Sequence, residues 1–245
     1  MIGVVLAAGE GRRLRPLTER LPKALIPLWR NRTCLEQVLG NLKAAVEKIY
    51  VVTGYRAEMV EQALAKLGFL AEPIRIAQQT PGNLSSLIAV WPRIKGKPFI
   101  LTNVDHIFPR GLFTELLKEV QEGEIACLVQ SRKAREILED EMKVVLDERG
   151  GILRFSKKLF PFDGAYIGVT VVKDPVAYAR ALESLRSSGR IYEGTCVEDI
   201  LEELSRLGKP PRAVFRDRMV WYEIDTPEDL EKARAGIGHD PGAYF

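Results

Sequence analysis

Residues 1–28, MIGVVLAAGEGRRLRPLTERLPKALIPL, combine a short apolar run with two glycines and a group of basic residues. The run from Ile2 to Leu6 is apolar and rich in β-branched residues, which indicates a buried strand. Gly9 and Gly11 follow, and glycine allows backbone angles and close approaches that side chains block. Exposed backbone N–H groups in such a loop, next to basic side chains, favour an anion, and phosphate is the commonest biological anion. The basic residues here are Arg12, Arg13, Arg15 and Lys23.

The positive charge of the chain is local. Residues 10–33 contain seven Lys or Arg and two Glu, a charge of +5, whereas all 245 residues together carry only +3. A protein that binds nucleic acid more often spreads its basic residues along a face or a tail. The composition therefore favours a small anionic ligand over nucleic acid.

Composition also limits the class of protein. With 46% hydrophobic residues, the chain is long enough to bury a full core. It has no run of 18 apolar residues, and Met1 leads straight into the first strand, so we expect a cytoplasmic protein with neither membrane span nor signal peptide. The three cysteines are far apart and odd in number, which argues against a disulfide framework. Only two histidines are present, so any metal should be a hard cation held by carboxylates.

Apolar strands alternate with amphipathic helices up to residue 130. This alternation predicts an α/β fold, a Rossmann-like, mostly parallel mixed sheet with helices on both faces. Ligands bind such sheets at the carboxyl ends of the strands, where residues 9–15 and 102–106 lie. The predicted strands are 2–7, 48–53, 72–77, 98–103 and 124–130, and the predicted helices are about 34–46, 56–67, 83–91 and 110–121.

The regular alternation of strands and helices ends after residue 130. MKVVLDERGGILRF (142–155) predicts a hairpin that turns at 149–151, and GAYIGVTVV (164–172) predicts a strand before a helix that begins near Pro175. We expect a small antiparallel insertion that covers the substrate side of the sheet. Residues 236–245 are expected to form a loosely held tail.

Two common phosphate-binding loops do not fit the glycine loop. A dinucleotide-binding loop needs a third glycine and an acidic residue at the end of the second strand. GEGRRL (9–14) lacks that glycine, and the second predicted strand ends at Thr53 and Gly54 with no acid. A P-loop would end in Gly-Lys-Ser/Thr, which is absent here.

The loop does resemble the signature of the sugar-phosphate nucleotidylyltransferases, Leu-Ala-Ala-Gly-x-Gly-x-Arg followed by Pro-Lys-x-Leu. LAAGEGRRLRPLTERLPKALIPL (6–28) contains every fixed position of that pattern. Two later marks of the family follow in order, Asp105 in FILTNVDHIF (99–108) and Asp225 in WYEIDTPEDL (221–230). The resemblance runs from residue 2 to about 235. It implies one nucleotidyltransferase domain, 1–235, with a nucleotide-binding half (1–130) and an acceptor-binding half (131–235).

Some details resemble the CTP:inositol-1-phosphate cytidylyltransferases among these enzymes. They are GNLSSL (82–87), the Asp-His pair after the fourth strand, FSKKL (155–159) and the MVWYEIDTPEDL ending (219–230). The implied reaction joins CTP and inositol 1-phosphate to give CDP-inositol and pyrophosphate. Val104 departs from the pattern, since many members carry Gly or Ala before the Asp.

The resemblance also implies residue roles. Arg13 and Lys23 would be catalytic, and Asp105 and Asp225 would hold Mg²⁺, which prefers oxygen ligands. Asp225 precedes a good helix start, in which Thr226 serves as the N-cap and leaves the carboxylate free. The nucleotide-binding candidates are Leu6, Ala7, Ala8, Gly9, Glu10, Gly11, Arg12, Gln79 (or Gln78), Gly82 and Asn83. The acceptor-binding candidates are Lys157, Asp163 and Glu193.

Other functions remain open at this point. A hexose-1-phosphate nucleotidylyltransferase shares the same signature, and a phosphocholine enzyme would need an aromatic cage, for which Tyr166, Tyr192 and Trp221 are weak candidates. A non-catalytic nucleotide-sugar sensor would be expected to lose one of the four charged residues, and this chain keeps them all. The sequence leaves the oligomeric state open, a homodimer included.

Overall fold

The computed structural model describes residues 1–68, 71–78 and 80–245. Thirteen strands and eight helices are assigned within these residues. The strands are β1 (Ile2–Ala7), β2 (Pro27–Trp29), β3 (Arg32–Thr33), β4 (Lys48–Thr53), β5 (Ala71–Arg75), β6 (Phe99–Asn103), β7 (His106–Ile107), β8 (Ile125–Ser131), β9 (Lys143–Leu146), β10 (Ile152–Ser156), β11 (Gly164–Val172), β12 (Arg212–Phe215) and β13 (Tyr222–Glu223). The helices are α1 (Leu17–Arg20), α2 (Cys34–Leu42), α3 (Ala57–Leu67), α4 (Leu84–Ile94), α5 (Leu112–Glu119), α6 (Pro175–Ser187), α7 (Val197–Arg206) and α8 (Pro227–His239).

The central sheet is mixed. Strands β5, β4, β1 and β6 lie side by side and parallel, with β1 between β4 and β6. Strand β11 runs antiparallel to β6, β8 pairs antiparallel with β11, and β12 completes that edge in parallel with β8. The predicted α/β fold is confirmed, as are the strands predicted in the first half of the chain and the hairpin β9–β10.

Helices cover both faces of the sheet, as predicted. Alternate residues of β1 face opposite cores, with Val5 in one cluster and Val4 in the other. The first core contains residues of α2, α3, α5 and α8, and the second contains residues of α4, α6 and α7. The strand at the centre is therefore buried on both faces, which is why it reads as a continuous apolar run.

Strand β11 pairs with different strands along its length. Its first residues, Gly164 and Ala165, pair with β9, whereas Val169–Val172 pair with β6. Gly168 lies at the change, with a φ of 77° that favours glycine. A Cβ at this position would lie 2.5 Å from the ring of His106, so the backbone approaches that side chain closely.

Two regions differ from the sequence-based expectations. A short hairpin, β2–β3, follows the glycine loop and was not predicted. The tail is not loosely held, because α8 continues to His239 and Tyr244 is only 6% exposed. The side chains of Gln37 and Arg110 donate hydrogen bonds to the last two backbone carbonyls, at 3.3 and 2.8 Å. In the part of the chain that the structure describes, no helix is both long and apolar enough to cross a membrane.

Candidate functional site

A two-stranded ribbon brings the two predicted metal ligands together. Strands β7 and β13 pair antiparallel, with His106 opposite Glu223. The ribbon is extended by a hydrogen bond of 2.9 Å from the Ile224 N–H to the carbonyl of Asp105. Asp105 and Asp225, which lie 120 positions apart in the sequence, therefore lie side by side.

The start of α8 leaves Asp225 free to face the site. Thr226 is the N-cap, its hydroxyl accepts a hydrogen bond from the Asp229 N–H, and Pro227 occupies the first turn. The Asp229 carboxylate accepts a hydrogen bond from the Thr226 N–H in return, which completes a capping box. The predicted cap is confirmed. Because Thr226 and Asp229 satisfy the helix end, the carboxylate of Asp225 has no capping role.

Lys23 lies between the two carboxylates. Its side chain is 9% exposed, and its Nζ lies 2.6 Å from Asp105 Oδ2 and 2.5 Å from Asp225 Oδ1. Burial alone would lower the pKa of Lys23, but the two carboxylates raise it above its usual value. The pKa of Asp105 is held well below its usual range, because Lys23 and His106 outweigh the effect of burial. Lys23 and Asp105 are therefore both charged at neutral pH.

Arg13 approaches the same cluster from the surface. It donates a hydrogen bond to Asp225 and another, at 3.3 Å, to Asp140 in the segment before β9. Its side chain is 55% exposed, so it faces solvent on one side and the carboxylates on the other. The structure thus brings together all four charged residues singled out in the sequence, from four separate segments of the chain.

The glycine loop precedes a turn of 3₁₀ helix at Arg12–Leu14. Gly11 has a φ of 63°, and its carbonyl accepts a hydrogen bond of 2.8 Å from the Thr18 hydroxyl, which anchors the loop. No atom lies within 4 Å of a Cβ built on Gly9, so this residue borders open space. Among the other candidates of the loop, Leu6, Ala7 and Ala8 are buried.

Arg12 does not point toward the four charged residues. Its side chain is 76% exposed and pairs with Glu10 at 2.6 Å. Glu10 lies 3.9 Å from Arg15 as well. In this structure Arg12 and Glu10 therefore neutralise one another at the edge of the loop.

The second predicted nucleotide-binding segment joins α4 to the chain before α7. The Gly82 N–H donates to the carbonyl of Glu193 at 2.9 Å, and the Asn83 side-chain oxygen accepts a hydrogen bond of 2.8 Å from the Val197 N–H. A Cβ at Gly82 would lie 2.1 Å from the carbonyl oxygen of Thr195, so only glycine fits this contact. Gln79 lies outside the described residues.

A cavity of about 120 Å³ is lined by His106 and Asp140, the hydrogen-bond partners of Asp105 and Arg13, although none of the four charged residues lines it. It is lined by Lys157, one of the predicted acceptor-binding residues, and by part of the backbone at Gly168. Neither of the other two predicted acceptor residues is among its lining residues. Asp163 instead accepts a hydrogen bond of 2.9 Å from the Leu146 N–H, and the exposed Glu193 contributes its carbonyl to the contact with Gly82. The carboxylates that do line the cavity are Asp140, Glu141, Glu198 and Glu223.

Sequence reasoning did not find these carboxylates. Glu223 could have been suspected, because it lies two positions before Asp225 on an extended segment and so points to the same side. Burial and the nearby aspartates raise the pKa of Glu223 to about 7, although His106 and Lys23 act in the opposite direction. Glu198 had no such signal, since its helix contains four acidic residues that look alike in sequence.

His106 fixes the position of Asp105. Its Nδ1 lies 2.8 Å from Asp105 Oδ1, and its ring stacks on Trp221 with 5.5 Å between centroids. Phe108 packs against both rings, with its centroid 5.5 Å from that of Trp221 and 6.2 Å from that of His106. The histidine therefore holds the carboxylate from within the core.

The two aspartates could face a common cation. Their oxygens already converge on one positively charged atom, Lys23 Nζ. Among residues 1–68, 71–78 and 80–245, no group of three or more His, Cys, Asp or Glu side chains has the arrangement of a metal centre. A divalent cation at this place would need ligands from a bound phosphate in addition to the two carboxylates, as Mg²⁺ usually does.

The fold is shared with nucleotide-diphospho-sugar transferases. A structure described as the inositol-1-phosphate CTP transferase from T. maritima superimposes with a TM-score of 0.77 at 24% identity, over 98% of this chain and 96% of that chain. The chain belongs to the MobA-like NTP transferase domain family, whose model matches residues 3–207.

Curated relatives are similar over nearly the whole chain. A protein of Aquifex aeolicus named bifunctional IPC transferase and DIPP synthase is 30% identical over 233 residues, which are 94% of this chain and 50% of the relative. A protein of the same name from Thermococcus kodakarensis is 28% identical over 234 residues, 94% of this chain and 49% of the relative. The chain thus spans about half the length of the curated relatives it matches.

Proposed function

We propose that this protein is a nucleotidyltransferase that joins CTP and inositol 1-phosphate to give CDP-inositol and pyrophosphate. An oxygen of the acceptor phosphate attacks the α-phosphorus of CTP. A new P–O bond forms, the bond from the α-phosphorus to the bridging oxygen breaks, and pyrophosphate leaves with that electron pair. A phosphomonoester has a second pKa near ~6, so the nucleophile is already largely ionised at neutral pH and needs no general base.

One observation carries the proposal, the convergence of Arg13, Lys23, Asp105 and Asp225 beside the glycine loop. The reaction brings two anions together, so the site must supply positive charge and in-line positioning. Lys23 is held rigidly by two carboxylates and suits the binding of phosphate in the ground state. Arg13, which is more exposed, suits charge that develops in the transition state.

Asp105 and Asp225 would hold Mg²⁺, which when bound would neutralise negative charge on the phosphates. His106 positions Asp105 through its hydrogen bond of 2.8 Å. The capping box of α8 keeps Thr226 and Asp229 occupied, so Asp225 is available to the cation.

The small cavity favours a polyol over choline as the acceptor. Four carboxylates line it, and carboxylates accept hydrogen bonds from hydroxyl groups. Of the three aromatic residues considered above for choline, Tyr166 and Trp221 line the cavity and Tyr192 does not, so the three do not surround a common space. The ring of Trp221 packs against both His106 and Phe108, the hydroxyl groups of Tyr166 and Thr170 are hydrogen-bonded to each other in the core, and Tyr192 is 69% exposed.

The relatives support the same assignment. The two curated relatives carry IPC transferase in their names, and the superimposed structure is described as an inositol-1-phosphate CTP transferase. The chain spans about half of those curated relatives, and the proposal concerns the transferase activity in their names. CTP and a small phosphomonoester are its proposed partners.

The test is a matrix of triphosphates against phosphomonoesters, with pyrophosphate release as the measurement. CTP, UTP, dTTP and GTP are each combined with inositol 1-phosphate, glucose 1-phosphate, mannose 1-phosphate and phosphocholine at fixed Mg²⁺. CTP with inositol 1-phosphate should give the highest kcat/KM. Efficient turnover of a hexose 1-phosphate with another triphosphate, and none of inositol 1-phosphate with CTP, would replace the substrates and leave the reaction class intact.

A further inference from the structure

A second cavity lies beside α2 and shares no lining residue with the small cavity or with the four charged residues. Its volume is about 310 Å³, at the lower end of the range for small-molecule pockets, roughly 300–1,000 Å³. We call it the α2 cavity. It is lined by Glu36, Gln37, Gly40 and Lys43 of the α2 region and by Arg32, Arg110, Tyr244 and Phe245.

Gln37 has a buried acceptor atom that no donor satisfies. Its side chain is 2% exposed, and its Nε2 donates hydrogen bonds to the carbonyls of Phe108 and Tyr244, at 2.5 and 3.3 Å. These bonds fix the orientation of the amide, because turning it over would bring its oxygen against two carbonyl oxygens. The Oε1 atom is buried and has no hydrogen-bond partner among the residues that the structure describes. Buried side-chain acceptors are nearly always paired, so the missing donor in a residue that lines a cavity indicates a ligand there.

The charged side chains of the α2 cavity are mostly positive. Arg32, Lys43 and Arg110 line it, together with a single side-chain carboxylate, that of Glu36, which is held in the capping box of α2. Arg110 donates a hydrogen bond of 2.8 Å to the carbonyl of Phe245, and the guanidinium of Arg32 lies 5.2 Å from the centroid of the Phe245 ring. The excess of positive charge favours an anion, and the planar guanidinium of arginine suits phosphate in particular.

Gly40 leaves one wall of the cavity without a side chain. Glycine inside a helix is destabilising relative to alanine, so a reason for it is expected. Packing does not supply that reason, because a Cβ built at Gly40 would have no atom within 4 Å. A ligand in the α2 cavity does supply one, since the absence of a side chain lets it approach the helix backbone.

We propose that the α2 cavity binds a small phosphate ester that carries hydroxyl groups. The phosphate lies among the basic side chains, of which Arg32 is one, and the body of the ligand lies against Gly40. At neutral pH the phosphate of such an ester is largely dianionic and offers only acceptors, so a hydroxyl group of the ligand donates to Gln37 Oε1. This inference goes beyond the proposed function and does not depend on it, because none of the residues assigned to nucleotidyl transfer lines this cavity.

The first test is calorimetric titration of the protein with three probes. Ribose 5-phosphate has both features, ribose lacks the phosphate, and methyl phosphate lacks the hydroxyl groups. The titrations are made well above the second phosphate pKa of ~6, so that the phosphate itself donates no hydrogen bond. Wild type should bind ribose 5-phosphate at least about 10-fold more tightly than either of the other probes.

Two variants of the cavity carry the second test. Arg32→Ala removes a cation and Gly40→Leu places a side chain in the cavity, and each should weaken binding of ribose 5-phosphate by roughly 10- to 100-fold. Leucine favours a helix and has room at this position, so the melting temperature of Gly40→Leu should be no lower than that of wild type. Loss of binding is thereby separated from loss of the fold. Arg30→Ala is the matched control for charge, because Arg30 is an exposed residue of the same hairpin that does not line the cavity.

Arg13→Ala distinguishes this cavity from the nucleotidyl-transfer site. Binding of ribose 5-phosphate that survives in Arg13→Ala and is lost in Gly40→Leu supports the inference. Binding that is weakened by Arg13→Ala and unchanged by Gly40→Leu and Arg32→Ala would place the probe in the transfer site and overturn it. Equal affinity for ribose 5-phosphate and methyl phosphate, or no binding of ribose 5-phosphate by wild type at millimolar concentration, would overturn it as well, and the proposed function would stand in each case.

Discussion

Lys143 Nζ donates a hydrogen bond of 3.0 Å to the backbone carbonyl of Lys157. The same buried ammonium also donates to the carbonyls of Leu138 and Glu139, at 3.0 and 2.9 Å. One side chain therefore bonds to two loops that both line the small cavity, the segment before β9 and the residues after β10.

Replacement of Lys143 by Met should loosen those loops. The substitution keeps the length of the side chain but leaves three carbonyls without their donor, so the free energy of unfolding should fall by roughly 1–3 kcal/mol. The KM for the acceptor should rise several-fold more than the KM for the triphosphate. Lys158→Met serves as the control, because it removes a positive charge from the exposed residue next to Lys157. Equal effects of the two variants on the acceptor KM would show that the loss of positive charge, and not the loss of the three hydrogen bonds, weakens binding of the acceptor.

Asp105→Asn and Asp225→Asn should each lower kcat by on the order of 100-fold or more, because each removes half of the charge available to a divalent cation. The Mg²⁺ concentration for half-maximal activity should rise as well. Circular dichroism and thermal unfolding check that the fold is retained. Turnover near the wild-type level in both variants at ordinary Mg²⁺ would contradict the assigned metal site.

Arg13→Ala and Lys23→Ala should separate transition-state from ground-state effects. Arg13→Ala should reduce kcat most, whereas Lys23→Ala should also raise the KM for the triphosphate, since Lys23 is held in place before substrate binds. Arg20→Ala, at the exposed end of α1, removes a positive charge from the same segment and should change neither. The assignment fails if Arg13→Ala changes KM alone.

Much of this architecture could be predicted because its signals are local. The apolar strands, the glycine loop and the Thr226 cap each depend on residues within a few positions of one another. Asp105 and Asp225 could be paired only through a resemblance, since the ribbon that aligns them joins segments more than 100 residues apart. Glu198 could not be found, because helical periodicity places it on α7 without showing which of four carboxylates lines the small cavity.

Glu203 should make stability depend on pH. Burial acts to raise its pKa, but the hydrogen bond from Ser184 and the ion pair with Arg190 lower it below the usual value. A lowered pKa in the folded state stabilises the protein above the unfolded pKa near ~4.3, and this contribution is lost as the pH falls through the folded value. Wild type should therefore exceed Glu203→Gln in free energy of unfolding at pH 7, and the difference should shrink below about pH 4. Denaturant titrations across this range measure it, and a constant difference would rule the effect out.

Gly82→Ala tests whether the contact between α4 and the segment before α7 positions the site. The added Cβ would lie 2.1 Å from the carbonyl oxygen of Thr195, and that backbone cannot move away without breaking the hydrogen bond of 3.2 Å that it accepts from the Leu84 N–H. Overpacking of this kind typically costs about 1–3 kcal/mol, so the melting temperature should fall. Gly40→Ala is the matched control, because Gly40 lies within α2 and a Cβ at this position would have no atom within 4 Å, so alanine there should stabilise the helix by roughly 0.5–1 kcal/mol. If Gly82→Ala proved as stable as the control and bound CTP normally, the close contact would have no part in holding the nucleotide-binding segment.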